Sequence, residues 1–91
     1  MDEKTIEKFL RDKVKATGGE AYKFVSPGHI GVPDRLVVFP GGRIAFVELK
    51  APGKKPRPNQ IAQIERLRRL GADVEVIDSK EGCLEFIKNR V

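Results

Sequence analysis

The fold of this chain is most tightly constrained by two apolar segments that a short Pro-Gly-Gly-Arg connection joins. Residues 36–39 are Leu-Val-Val-Phe, residues 44–50 are Ile-Ala-Phe-Val-Glu-Leu-Lys, and Pro40 to Arg43 lie between them. β-Branched and aromatic residues favour extended strands, and consecutive glycines accept the positive φ angles of a tight turn. The pattern predicts an antiparallel hairpin of two largely buried strands.

The N-terminal segment has the spacing of an amphipathic helix. Its apolar residues recur three to four positions apart, at Ile6, Phe9, Leu10 and Val14. Asp2 is a suitable N-cap, and the glycines at 18 and 19 are suited to ending the helix. These features predict a helix over about residues 3–17.

The remaining elements follow from the same periodicities. We expect a strand over 21–25, a helix over 59–70, a strand over 73–77 and a last helix capped by Asp78 or Ser79. The helix over 59–70 should turn four residues inward: Ile61, Ile64, Leu67 and Leu70. The order is α-β-β-β-α-β-α, and a right-handed crossover should make the third and fourth strands parallel. The sequence therefore predicts one α/β domain over residues 1–91 with a mixed central sheet.

The composition favours a small globular protein with a polyanionic partner. A chain of 91 residues that is 40% hydrophobic can bury one modest core but not two. The net charge is +5, and the pI is about 9.6. Because lysine and arginine contacts to phosphate release condensed counterions, this charge favours nucleic acid as the partner.

The cysteine count and the hydropathy indicate the compartment. One cysteine, Cys83, excludes an internal disulfide and a cysteine-rich zinc site, and it suits a reducing environment. The N-terminus lacks the apolar region of a secretory signal, and no apolar run approaches the ~20 residues of a membrane span. We expect a cytoplasmic protein without a membrane partner.

The end of the second hairpin strand carries the charges that matter most. Alternation puts Glu48 and Lys50 on a face that is apolar earlier in the strand. Asp34 precedes the first hairpin strand. If the turn centres between Gly41 and Gly42, Asp34 pairs with Leu49 and points to the wrong face. We therefore predict a loop of odd length or a bulge, which places Asp34 on the same face as Glu48 and Lys50.

These residue types suit metal-assisted phosphodiester chemistry. Asp34, Glu48 and the backbone carbonyl of Leu49 would form a hard oxygen site for Mg²⁺ or Mn²⁺. Lys50 would position the attacking water or stabilise negative charge in the transition state. Glu7 would hold a second ion, or reach the ion through a water. The alternative is a surface salt bridge at a strand end, in a DNA-binding module without catalysis or in a homodimeric scaffold.

The spacing also resembles a known signature. Residues 31–35, Gly-Val-Pro-Asp-Arg, and residues 46–54, Phe-Val-Glu-Leu-Lys-Ala-Pro-Gly-Lys, are similar to the PD-(D/E)XK nuclease motif. More narrowly, nearly the whole chain resembles the stand-alone phage type of the VRR-NUC (virus-type replication-repair nuclease) family. That resemblance implies a restriction-endonuclease-like αβββαβ core with a C-terminal helix.

The resemblance also implies roles for residues and partners. Asp34 and Glu48 would be metal ligands, Lys50 the catalytic lysine and Gln60 the glutamine of the second helix. Glu7 would be the acidic residue of the first helix, with Glu3 as an alternative. The family implies repair-type cleavage of branched DNA, either flaps or Holliday junctions, by a homodimer that needs no nucleotide cofactor. Its setting would be a bacterial or phage-infected cell.

Basic and polar residues around this motif are candidates for contacts to DNA. Lys54, Lys55 and Arg57 lie in a proline-rich loop directly after the Glu-x-Lys motif, where they would contact phosphates. The alternative is a solvated basic loop. Lys23 and Ser26, which flank the Gly-Pro loop that leads into Asp34, are further candidates, whereas His29 is expected to be an exposed loop residue.

Overall fold

Side chains that alternate along the central strands place helices on both faces of one sheet. The computed structural model describes all 91 residues. Its elements are α1 (Glu3–Ala16), β1 (Glu20–Lys23), β2 (Arg35–Val38), β3 (Ile44–Leu49), α2 (Pro58–Arg69), β4 (Val74–Ile77) and α3 (Lys80–Lys88). The strand order is β1-β2-β3-β4, antiparallel except for the parallel β3–β4 pair. The element order and the mixed sheet expected from the sequence are confirmed.

The main core lies between the sheet and the pair α1 and α3. Asp2 caps α1 by accepting a hydrogen bond from the Thr5 backbone N–H, as predicted. The apolar stripe of α1 is fully buried against one face of β3, whose inward residues are Ala45, Val47 and Leu49. α3 completes this layer with Cys83 and Phe86, so the cysteine is a core residue. No helix is long and apolar enough to cross a membrane.

The hairpin loop has the odd length that the site requires. Phe39 and Arg43 close it, because the Phe39 N–H donates to the Arg43 carbonyl over 2.8 Å. Gly42 then donates to Phe39, and Gly41 adopts a φ of 91°, as the third position of a type II turn demands. Arg35 consequently pairs with Val47, so the next pair along the register is Asp34 with Glu48. The predicted register is confirmed.

Two details of the predicted elements were wrong. In α2, Ile64 is buried, but Ile61 is 43% exposed and Leu70 is 75% exposed. The second buried position of the helix is instead Gln60, which needs a polar partner inside the protein, and Leu70 lies beyond the last helical residue. The first strand ends at Lys23, two residues earlier than expected, so Val25 is 67% exposed.

Gly31 fixes the loop between β1 and β2 against the start of α2. Its φ is +93°, and a Cβ atom there would lie 2.6 Å from the Asn59 carbonyl oxygen. Gly28, in the same loop, has a φ of +90° but nothing within 4 Å of a Cβ. Only a glycine therefore allows the loop and the helix to approach this closely just before Asp34.

These two glycines give a matched prediction. Gly28→Ala and Gly31→Ala should each lower the free energy of unfolding by about 1–2 kcal/mol, because alanine is strained in the left-handed backbone conformation. Gly31→Ala should lose clearly more, because its new methyl group also collides with backbone. Urea denaturation of both variants measures the difference, and equal losses would contradict the tight contact.

Candidate active site

Asp34 is held against the neighbouring strand by hydrogen bonds on both its side chain and its backbone. Its Oδ2 accepts from the Leu49 backbone N–H over 2.9 Å. Its carbonyl oxygen accepts from the Phe24 N–H over 2.9 Å. Phe24, directly after β1, and Leu49 in β3 thus fix Asp34 from either side, with its carboxylate next to Glu48.

Glu48 is a buried carboxylate with one oxygen satisfied and one not. Its side chain is 1% exposed. Oε2 accepts from Gln60 Nε2 over 2.9 Å and lies 3.2 Å from Lys50 Nζ. Oε1 is buried and has no hydrogen-bond partner. Because an orphaned buried oxygen costs free energy, its presence beside a second carboxylate fits a bound cation.

The electrostatics of Glu48 point the same way. Burial raises the pKa of its carboxyl above the ordinary 4.5, and the nearby charge of Asp34 raises it further. The Lys50 ammonium opposes both effects. Ionisation of Glu48 therefore costs free energy in the folded protein. A divalent cation between the two carboxylates would offset that cost. No third acidic, histidine or cysteine side chain completes a metal cluster, so backbone and water oxygens would fill the remaining positions.

Gln60 connects the buried glutamate to the basic loop. Its Oε1 accepts from the Arg57 backbone N–H over 2.8 Å, while its Nε2 donates to Glu48. One amide therefore caps the start of α2 and orients the carboxylate. Lys50 is held from the other side, because its backbone N–H donates to Ile77 in β4 and its side chain is 10% exposed. The structure brings together Asp34, Glu48, Lys50 and Gln60.

Glu7 does not join this group directly. Its Oε2 accepts from Arg35 Nε over 3.1 Å and lies 3.1 Å from Arg35 Nη2. Arg35 is 9% exposed and also donates to the Ala21 carbonyl, on the sheet face opposite Asp34. Glu3, the alternative acid of α1, is among the charges that raise the pKa of Glu48.

The predicted DNA-binding residues lie at the surface around the site. Lys54, Lys55 and Arg57 are exposed. Lys23 is exposed at the end of β1, and Ser26 Oγ lies 3.1 Å from Nδ1 of the exposed His29. Sequence reasoning missed the buried Arg35–Glu7 pair, although a lone arginine at the start of an apolar strand was a signal for it.

Comparisons with known proteins agree with this geometry. Residues 3–81 match the VRR-NUC domain family. This chain belongs to the VRR-NUC family. It is 57% identical over 79 residues to "Putative nuclease p44" of Acyrthosiphon pisum secondary endosymbiont phage 1, covering 87% of this chain and 85% of that protein. A solved VRR_NUC domain matches it with a TM-score of 0.90 at 36% identity, covering 98% of this chain and 97% of the other.

Family membership makes this VRR-NUC chain a DNA nuclease domain. The family and the α/β fold expected from the sequence are confirmed. Nucleases of this family generally use divalent metal ions. The orphaned oxygen of Glu48, next to Asp34, is the feature of this chain that fits such an ion.

The buried carboxylate of Glu48 gives a stability prediction. Because the pKa of Glu48 is raised in the fold, its contribution to stability declines as pH rises above about 4.5. Glu48→Gln removes that titration, so the Tm of the metal-free variant should fall less than the Tm of the wild type between about pH 4.5 and neutral pH; about 1 kcal/mol of stability corresponds to 4–8 °C in Tm. Thermal melts with a chelator, at pH values from about 4.5 upward, measure the effect.

The exposed residue Glu65 supplies the control. Glu65→Gln should leave the pH profile unchanged. Mn²⁺ should then raise the Tm of the wild type but not of Glu48→Gln. A metal-free Glu48→Gln protein whose Tm falls with pH as steeply as that of the wild type would overturn this account of the site.

Proposed function

We propose that this protein is a divalent-metal-dependent DNA endonuclease of the PD-(D/E)XK type, which hydrolyses phosphodiester bonds. The observation that carries the proposal is the buried, unpartnered Oε1 of Glu48 beside Asp34, with the Lys50 ammonium 3.2 Å from the other oxygen. Asp34, Glu48 and the Leu49 carbonyl would hold Mg²⁺ or Mn²⁺. When bound, such an ion polarises the phosphodiester and lowers the pKa of water.

Neighbouring residues hold the two carboxylates of the proposed site in place. Gln60 keeps Glu48 Oε2 in place, and the Leu49 N–H keeps Asp34 oriented, so Glu48 Oε1 is the oxygen left free for a ligand. Lys50 is nearly buried, which strengthens the field of its ammonium at the reacting phosphate. Lys50 would hold the attacking water or stabilise the charge that develops on the phosphate oxygens.

An ion-pair network in a non-catalytic DNA-binding module is the competing reading. The Lys50–Glu48 contact would suit it. A network selected for stability would, however, satisfy both oxygens of a buried carboxylate. The free Oε1 and the raised pKa of Glu48 both favour a site that is completed by a cation.

The proposed substrate is branched DNA, bound by a two-fold dimer. Lys54, Lys55 and Arg57 are exposed directly after Lys50, so they can contact phosphates next to the cut. Lys23 and Ser26 lie before and after Phe24, whose backbone N–H donates to the Asp34 carbonyl oxygen. A domain of 91 residues spans little of a junction, and a dimer would supply two equivalent sites.

Cleavage of labelled DNA tests the function. With Mn²⁺ or Mg²⁺ the wild type should cut flaps and four-way junctions faster than duplex or single strands, and junctions at two symmetric positions. Lys50→Ala should lose roughly 10²–10³-fold in rate, the usual loss for one electrostatic group in a transition state. The exposed Lys88 provides a control of equal charge, and Lys88→Ala should cut normally. A wild type that binds these DNAs but cuts none with either ion would leave the binding-module reading in its place.

The acidic residue of α1 needs its own test. We propose that Glu7 mainly positions α1 through Arg35, and that Glu3 supplies the charge that reaches the site. Glu7→Gln should lower Tm, since it leaves the buried Arg35 without its anion. Glu3→Gln should keep its Tm and require more Mn²⁺ for half-maximal cleavage. A normal metal response in Glu3→Gln, with a weakened one in Glu7→Gln below its melting point, would assign the role to Glu7.

A further inference from the structure

A shallow cleft near the proposed active site has no role in the mechanism above. It has a volume of about 190 Å³ and lies between the loop after β1 and helix α2. Phe24 and Leu67 provide apolar walls, and the Phe24 ring is braced by Phe46 at a centroid distance of 5.3 Å. The rim is polar and carries hydrogen-bonding groups and one cation: Ser26, His29, Gln63 and Arg66.

Two contacts hold the loop that forms one wall of this cleft. Gly31 presses its backbone onto Asn59 and Gln60, which ties the loop to the start of α2. Ser26 and His29 are joined across the loop at 3.1 Å. A preformed cleft loses little conformational entropy when it binds a rigid ring, which favours affinity for a small planar group.

Two residues that line the cleft connect it to the proposed active site. Phe24, in its wall, donates its backbone N–H to the carbonyl oxygen of Asp34. Gln63, on its rim, follows Gln60 by about one helical turn of ~5.4 Å. A group seated in the cleft would therefore belong to the nucleotide at, or next to, the phosphate that Asp34 and Glu48 address.

We propose that this cleft receives one unpaired nucleobase of the DNA substrate, next to the bond that is cut. The inference rests on the proposed nuclease function and specifies its substrate. An apolar and aromatic wall suits the face of any base, and a rim of amide, hydroxyl and imidazole groups suits its polar edge. Arg66 would contact the base or its flanking phosphate. The volume is below the ~300 Å³ of typical small-molecule pockets, so a single ring system is the fitting occupant.

This assignment gives a physical reason for preferring branched DNA. A base in an intact duplex must be unpaired and unstacked before it can enter, at a cost of a few kcal/mol. At a branch point or flap base that cost is already reduced. The cleft therefore selects substrates by how easily one base leaves the stack, without reading its identity.

The test removes either the base or the cleft. A flap or junction substrate is compared with a series of copies, each carrying an abasic residue at one position near the cut. Variant Gln63→Trp fills the cleft. Arg66→Ala removes its cation, and Arg69→Ala, on the same helix but outside the cleft, removes the same charge as a control. Melting temperatures establish that each variant is folded.

One abasic position should slow the wild type roughly tenfold, within the range that stacking of one base contributes. Gln63→Trp should cut the intact substrate about as slowly and be insensitive to that abasic position. Arg66→Ala should be slowed more than Arg69→Ala. Wild-type cleavage that no abasic position slows, or an undiminished rate in a folded Gln63→Trp protein, would overturn the proposal.

A binding measurement separates this inference from the nuclease function. In Lys50→Ala with Ca²⁺, 2-aminopurine at the same DNA position should change its fluorescence on binding, and Gln63→Trp added to Lys50→Ala should abolish the change. That result supports the cleft even if the wild type never cuts. Binding without a fluorescence change at any position would refute the inference. It would also be refuted if Gln63→Trp dissociated a dimer and slowed cleavage equally with and without the base.

Discussion

The hydrogen-bonded pairing of β2 with β3 in a single register brings the carboxylates of the site together. The register is set by the three residues Pro40 to Gly42, which the Phe39–Arg43 bond closes. A slip of one residue would turn Asp34 away from Glu48 and expose the apolar partners of α1. The same alternation that buries Ala45, Val47 and Leu49 on one face therefore delivers Glu48 and Lys50 to the other. Core packing and the position of the site are consequences of one constraint.

The fold tolerates the buried Glu48 carboxylate, which lowers its stability, because the rest of the sheet is held by other contacts. Glu48 is almost fully buried, and its ionised form is disfavoured by burial and by Asp34. The compensation is partial, since Gln60 and Lys50 both address the same oxygen. On the far face, the Arg35–Glu7 pair and the apolar stripe of α1 hold β2 in place directly behind Asp34. Packing on the α1 face thus offsets the electrostatic cost of the buried Glu48 carboxylate on the other face, as is common at functional sites.

The sequence was most informative where a local pattern determines the structure. The hairpin follows from alternation and glycine placement. Its odd loop was predicted because an even turn between Gly41 and Gly42 would point Asp34 away from the face of Glu48 and Lys50. The inward face of α2 could not be predicted in the same way. Apolar spacing favoured Ile61 and Leu70, but the helix turns Gln60 inward because Glu48 offers it a buried acceptor. That choice depends on a residue 12 positions away. The Glu7–Arg35 pair spans 28 positions, and no periodicity links its members.

Helix α2 couples regions of the molecule that the sequence presents separately. At its first turn, Gln60 binds both the basic loop through Arg57 and the glutamate of the site. About one turn later Gln63, and about two turns later Arg66, lie on the rim of the cleft. The other wall contains Phe24, whose backbone N–H donates to Asp34. Gly31 fastens the cleft loop to the same end of this helix. A shift of α2 would therefore disturb the proposed phosphate contacts of the basic loop, the orientation of Glu48 and the shape of the cleft together. Because one helix sets all three, the proposed recognition of the substrate and the proposed chemistry are coupled through the position of α2.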